Sequence, residues 1–207
     1  MIQVIPAILA KTKEEFEQMV RKLELHVDRV HLDIIDGKFA PNTTIGGVEE
    51  LLSIETNLQF DVHLMVKNPD LTAWYPTKAD RFILHVESEG DLLQQLMQLE
   101  EHGKRRALAF NPATDPEKHA SMLPHVDFVQ FMTVNPGFYG SPFVPEVIRK
   151  IEQFHGAHPH MPIAVDGAIN PQTAPQVCTA GASILISGSY IIGSEDVAKA
   201  ITALQTQ

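Results

Sequence analysis

The chain has 207 residues, 44% of them hydrophobic, with 26 acidic against 16 basic residues and a formal net charge of −10. That length and apolar content support a sizeable core, while the acidic balance and the lack of any basic run argue against a nucleic-acid or anionic-membrane surface. Cys178 is the only cysteine, which excludes an internal disulfide and fits a reducing compartment, and no apolar run approaches the ~18–20 residues that span a bilayer.

The apolar run at 4–10 has no preceding Lys or Arg and is too short for a signal-peptide core. No Ser/Gly/Pro-rich linker divides the chain, so the expectation is a soluble cytoplasmic protein with residues 1–207 in one domain. Residues 3–9 read as a first strand. Thr12-Lys13-Glu14-Glu15 has the form of a capping box, and Phe16, Met19, Val20 and Leu23 then follow helical spacing. Residues 30–35 are a second, β-branched strand, broken by Asp36-Gly37. A short helix is expected at 48–54, a third strand at 60–66, a short helix at 69–75 and a fourth strand at 81–86. Asp91 caps a helix through Leu92, Leu93, Leu96 and Leu99 that stops at Gly103. Residues 106–110 are strand five. Asp115-Pro116 pairs an N-cap with proline at the first helical position. Strand six spans 127–132 and is followed by a glycine-bearing loop, then a helix at 146–154. Strand seven is 163–165, Pro171 opens a helix, strand eight is 183–186, and a last helix covers 195–204.

Eight strand–helix repeats predict a parallel sheet, either a compact (β/α)8 barrel or an open doubly wound sheet. The barrel is preferred because polar residues sit at the ends of most strands, whereas a switch-point crevice would gather them at one or two. His31 and Asp33, two apart on strand two, share a face. In a barrel they meet His63 of strand three and Asp166 of strand seven on one rim. Two imidazoles and two carboxylates suit one divalent ion, Zn2+, Fe2+ or Mn2+. His85 is a further candidate for the wall. Asp61 is either an orienter of an imidazole or a lower core acid paired elsewhere, and Met65 and Met132 are expected to line the cavity. Gly137-Phe138-Tyr139-Gly140 follows strand six, Gly167-Ala168 strand seven and Gly188-Ser189 strand eight. In such barrels the last loops cradle phosphate, with backbone N–H groups doing the work of basic side chains.

The order and wording of these segments resemble the ribulose-phosphate 3-epimerase family. The matching pieces are His31-Leu-Asp-Ile-Ile-Asp-Gly-Lys-Phe-Ala-Pro-Asn42, Asp61-Val-His-Leu-Met-Val66, His85-Val-Glu87, Met132-Thr-Val-Asn-Pro-Gly-Phe138, Val165-Asp-Gly167 and Ser187-Gly-Ser189. The resemblance implies His31, Asp33, His63 and Asp166 as metal ligands, and Asp33 and Asp166 as the two acid–base catalysts. It also implies His63, Gly137, Phe138, Tyr139, Gly140, Gly167, Ala168, Gly188 and Ser189 as substrate and phosphate contacts. Ala7, Ile35, Met65 and Met132 are expected to line the pocket. The implied reaction inverts C3 of D-ribulose 5-phosphate through an enediolate, in a homodimer or homohexamer. Several positions depart from the pattern. Ala7 replaces a serine, Ile35 a methionine, Ala164 a glutamate, Ala168 and Tyr139 glycines, and Tyr190 an alanine. If the backbone at Tyr139 needs positive φ, a side chain there costs about 1–2 kcal/mol; otherwise its ring closes the pocket or its hydroxyl meets phosphate. These changes leave two other readings open, an epimerase of another ketose phosphate such as allulose 6-phosphate and a barrel that binds a phosphorylated metabolite without turnover.

Overall fold

A computed structural model describes residues 2–206. Eight parallel strands close on themselves in chain order: β1 (Gln3–Ile8), β2 (Arg29–Ile35), β3 (Gln59–Met65), β4 (Ala79–His85), β5 (Arg105–Phe110), β6 (Phe128–Met132), β7 (Ile163–Asp166) and β8 (Ile184–Ser187). Around them run α1 (Lys13–Leu23), α2 (Val48–Ser53), α3 (Leu92–Glu101), α4 (Glu146–Ala157), α5 (Ala174–Thr179), α6 (Ser189–Ile192) and α7 (Val197–Gln205). No helix among the described residues is long and apolar enough to cross a membrane.

Two apolar layers follow from the strand period of two. Outward residues such as Leu32, Val62, Phe82, Leu108, Val129, Val165 and Leu185 join the helices in one continuous core. Inward residues form a second, smaller core of Ile5, Ala7, Ile83, Ala107, Ala109, Phe128, Ala164, Ile184 and Ile186. The inward alanines on β1, β5 and β7 leave room that longer polar side chains on β2, β3, β4 and β6 occupy. Toward the N-terminal ends of the strands, Asp61 pairs with Arg29 at 2.5 Å and lies 3.5 Å from Arg81, while Arg29 also reaches Asp80 at 2.7 Å. Asp61 is thus a core acid paired low in the barrel rather than an orienter of an imidazole.

The helix ends obey local chemistry. Thr12 Oγ1 accepts from the Glu15 amide, but the Glu15 carboxylate reaches back to the Lys11 amide, one residue before the cap. Asp91 and Asp196 cap α3 and α7 through the Gln94 and Lys199 amides. Three expected helices differ. Within 69–75 only a three-residue 3-10 turn forms, Thr72–Trp74, because Asp70 takes the Thr72 amide and hydroxyl for itself. Asp115-Pro116 opens a 3-10 segment, Pro116–His125, with Pro124 inside it. Pro171 lies in a turn held by Asn170 Oδ1, which accepts from the Gln172 and Thr173 amides, so α5 starts only at Ala174. The four-residue α6 was not expected from the sequence.

Removing the buried acid of the lower ion network tests its role. Asp61→Ala leaves two part-buried guanidinium groups without their shared partner and should cost about 3–5 kcal/mol in urea denaturation. Asp61 makes no hydrogen bond to a rim residue but pairs across the sheet with His31, so metal affinity of the variant that remains folded should change far less than its stability.

Candidate metal and acid–base site

Register sets the rim. Asp33 on β2 pairs across with His63 on β3, Ala7 on β1 with His31, and Met132 on β6 with Asp166 at the end of β7. One ligand atom each from His31, Asp33, His63 and Asp166 falls within 4.8 Å of the others, and all four residues are buried. His63 Nδ1 is 2.9 Å from Asp33 Oδ1 and 3.4 Å from Asp166 Oδ2. His31 Nε2 is 3.4 Å from Asp33 Oδ1 and 3.7 Å from Asp166 Oδ2, ion-pair distances without hydrogen-bond alignment. Neither ring nitrogen of His31 has a hydrogen-bond partner although the side chain is fully buried. A stranded imidazole facing two carboxylates is costly for a site of side chains alone and natural for a divalent cation among N and O donors. The residues therefore fit one such ion.

The electrostatics of the four groups diverge. Burial alone would raise Asp33, but His31 and His63 outweigh it and hold the carboxylate well below its usual range. Burial and the neighbouring Asp33 charge push Asp166 up to about 7. Burial drives His63 down to about 3, whereas for His31 the adjoining Asp33 and Asp166 overcome burial and raise it. The two carboxylates of one cluster are thus shifted in opposite directions, the pattern of an acid–base pair.

Gln130 of β6 belongs to the same group and was not singled out by its sequence. Its amide nitrogen is 3.3 Å from Asp166 Oδ2 and lies within 3.5 Å of both ring nitrogens of His63. A lone glutamine inside an apolar strand carries little signal; only the register, which pairs Gln130 with Ala164, reveals the space it fills. Thr133 donates to the Asp166 carbonyl at 3.0 Å and steadies the strand end.

Above the cluster lies a cavity of about 50 Å³ bordered by Ala7, Asp33, Met65, Met132 and the loops after β6, β7 and β8. Gly137, Phe138, Tyr139, Gly140, Gly167, Ala168, Gly188 and Ser189 all line it. Two expected contacts do not. Ile35 packs with Ala40 and Met65 behind the cavity wall, because the strand ends there and the chain turns outward at Asp36. His63 is fully buried beneath Asp33, so its reach is to the cluster rather than to the cavity. Tyr139 bridges the opening. Its hydroxyl donates to the Ala7 carbonyl at 2.9 Å and accepts from the Leu9 amide at 2.8 Å. Its ring lies so close to Gly188 that a Cβ there would meet Tyr139 Cε1 at 2.4 Å. Positive φ falls not on Tyr139 but on Ala168, at 52°, next to Gly167, where a Cβ would meet Val134 at 2.4 Å. Of the two readings left open for Tyr139, the structure thus shows the ring over the opening, and positive φ at a non-glycine residue occurs one loop later.

Comparison with known proteins agrees with this architecture. A family profile described as the Ribulose-phosphate 3 epimerase family matches residues 3–192. The chain is 34% identical to the ribulose-phosphate 3-epimerase of Bacillus subtilis, over 99% of both chains. It is also 34% identical to the cytoplasmic isoform of that enzyme from Oryza sativa, covering 98% of this chain and 92% of the relative. Among solved structures, a 3-hexulose-6-phosphate synthase superposes with a TM-score of 0.70 at 18% identity over 100% of this chain and 99% of that one, a likeness of fold.

Two measurements follow. Ion binding requires Asp166 without its proton, so affinity for Mn2+ should be about tenfold weaker at pH 6 than at pH 8, because a group titrating near 7 is mostly protonated at the lower pH. Chelator competition at the two pH values reads this directly, and affinity independent of pH would contradict it. Ala168→Gly should raise thermal stability by up to about 1 kcal/mol, the left-handed strain of about 1–2 kcal/mol being relieved against the added unfolded-state entropy of about 0.4–1 kcal/mol.

Proposed function

The chain belongs to the ribulose-phosphate 3-epimerase family, and from that premise we propose that it inverts C3 of D-ribulose 5-phosphate to give D-xylulose 5-phosphate. The observation that carries the reading is the convergence of two carboxylates and two imidazoles in one buried cluster, with both carboxylates bordering the cavity above it. Asp33, kept ionised by two imidazoles, is suited to remove the C3 proton next to the ketone. Asp166, the second carboxylate bordering the cavity, is suited to exchange a proton with the same carbon from the other side. In the reverse direction the two exchange tasks.

His31 and His63 complete the donor set for one divalent cation with Asp33 and Asp166. When bound, that ion supplies Lewis-acid stabilisation of the charge that develops on the substrate oxygens. Gln130 holds the Asp166 carboxylate by its amide, which limits rotation of the acid that must face C3. Met65 and Met132 give the reacting end an apolar wall that excludes water.

For the phosphate, the amides at Gly167-Ala168 and at Gly188-Ser189, where α6 begins, offer donors on adjacent loops. Tyr139 covers part of the opening through its bonds to Ala7 and Leu9, so release of those contacts would widen the way in for a ketose phosphate. Asn42 donates to the Gly137 carbonyl and ties that loop to the segment after β2.

Incubation of the Mn2+-loaded protein with ribulose 5-phosphate in deuterated water is the test. Deuterium should enter at C3 while xylulose 5-phosphate forms, and Asp33→Asn should lower exchange by at least about 10²-fold with an unchanged circular dichroism spectrum. Exchange confined to a six-carbon ketose phosphate would reassign the substrate. Phosphate binding without exchange on any ketose phosphate would leave a non-catalytic barrel. Near-normal turnover of Asp33→Asn would remove the acid–base role.

A further inference from the structure

At the end of the barrel opposite the rim cluster, the starts of the strands surround a recess of about 270 Å³, bordered by Arg81, Arg105, Asp127, Phe128, Ser183 and Ile184. Arg81 is only 9% exposed, and its side chain makes no hydrogen bond among the described residues. Nε and Nη1 are buried without a partner, which leaves Nη2 as the nitrogen open to the recess. Asp61 already gives Oδ1 to Arg29 at 2.5 Å and holds Oδ2 3.5 Å from Arg81 Nη1, an ion-pair distance without hydrogen-bond alignment. The ring of Phe128 lies 5.6 Å from Arg81 Cζ, which offers the charge a π face but no directed acceptor.

Register sharpens the cost. Arg81 on β4 pairs directly across with Arg105 on β5. Like charges opposite one another in a sheet are destabilising, and a buried guanidinium without acceptors adds its lost hydration. Burial, reinforced by the Arg29 and Arg105 charges, lowers the proton affinity of Arg81 despite Asp61. The other charged groups nearby are engaged. Arg29 reaches Asp80 at 2.7 Å as well as Asp61. Asp127 accepts from the Arg106 amide at 2.8 Å and lies 3.5 Å from Arg105 Nε. Arg81 is the one left without a directed acceptor, and it stands on the wall of an open recess.

We propose that this recess binds a small organic carboxylate, with its charge between Arg81 and Arg105 and its short apolar body against Phe128 and Ile184. A planar guanidinium suits a carboxylate in geometry as well as in charge. Asp127 on the same wall disfavours a dianion such as phosphate. The recess is separate from the cavity over the rim cluster, so the site stands whether or not the proposed reaction does.

Titration of the protein with butyrate, followed by proton–nitrogen NMR, is the test. The Arg81 Nε–H signal and the amides of Phe128 and Ile184 should move together and saturate, with the midpoint at or below about 10 mM. Chloride at the same concentration should leave them in place. Arg81→Met should weaken binding by at least about tenfold, and Arg105→Gln, at a half-exposed position, by about two- to fivefold. A response that never saturates, equal shifts with chloride, or unchanged affinity in Arg81→Met would overturn the proposal. Inorganic phosphate binding more tightly than butyrate at the same signals would overturn the assignment to a carboxylate. Should Arg81→Met fail to fold, the titration of the unaltered chain and of Arg105→Gln decides, and unchanged affinity in the latter would then overturn the site.

Discussion

Two carboxylates and two imidazoles buried within 4.8 Å of one another repel unless positive charge lies among them. Much of the upper barrel can be understood from that constraint. The four side chains come from the paired strands β2 and β3 and from β7, which faces them across the interior only because the sheet closes, so the barrel is what makes the crowding possible. Side chains alone relieve the repulsion by keeping a proton on Asp166 and favouring one on His31, while His63 is kept neutral. A cation bound there would replace those protons and restore both carboxylates to the charged form, so protons and an ion would compete for the same four groups.

The lower half of the barrel is arranged by the opposite rule. There the charges come already paired, with Asp61 between Arg29 and Arg81, although Nε and Nη1 of Arg81 make no hydrogen bond. The apolar layer containing Ile83, Ala107, Ala109 and Ala164 is small and tightly filled. Two polar zones of the same barrel interior thus have different purposes, and the difference is visible in which one leaves an imidazole without a hydrogen-bond partner.

The parts legible in the sequence were those governed by period. His31 and Asp33 share a face because strand residues alternate, and eight such strands with intervening helices pointed to closure before any coordinates. What the sequence concealed depends on register and on close approach. Gln130 matters through its cross-strand neighbour Ala164, and Arg81 through Arg105 across the β4–β5 pairing. The turn α6 is too short to show periodicity. Ile35 and His63 were placed on the cavity by the family resemblance, but a strand's last inward residue and its buried neighbour need not reach the open space. Of the two readings open for Tyr139, the ring across the opening is the one found, and positive φ falls on Ala168.

Two departures from the family pattern acquire a common explanation from these neighbours. The resemblance leads one to expect a serine hydroxyl where this chain has Ala7. The Tyr139 hydroxyl, arriving from the loop after β6, bonds to the Ala7 carbonyl and so returns a hydroxyl to the end of β1. Likewise a carboxylate is expected at position 164, beside Asp166, and this chain has alanine. The Gln130 amide, directly across the β6–β7 pairing, extends over that small residue and donates to Asp166. In both cases a polar group lost from one strand reappears from the adjoining element, within reach of the same cluster. The replacement is not neutral. A neutral amide donor beside Asp166 favours its ionised form, whereas a nearby carboxylate would oppose it. A tyrosine hydroxyl brings a whole ring across the opening, whereas a serine would leave it clear. The surroundings of the cavity thus differ from the family pattern while the four candidate ligands keep to it, and under the proposed function selectivity among ketose phosphates would be sought at Tyr139 and Gln130.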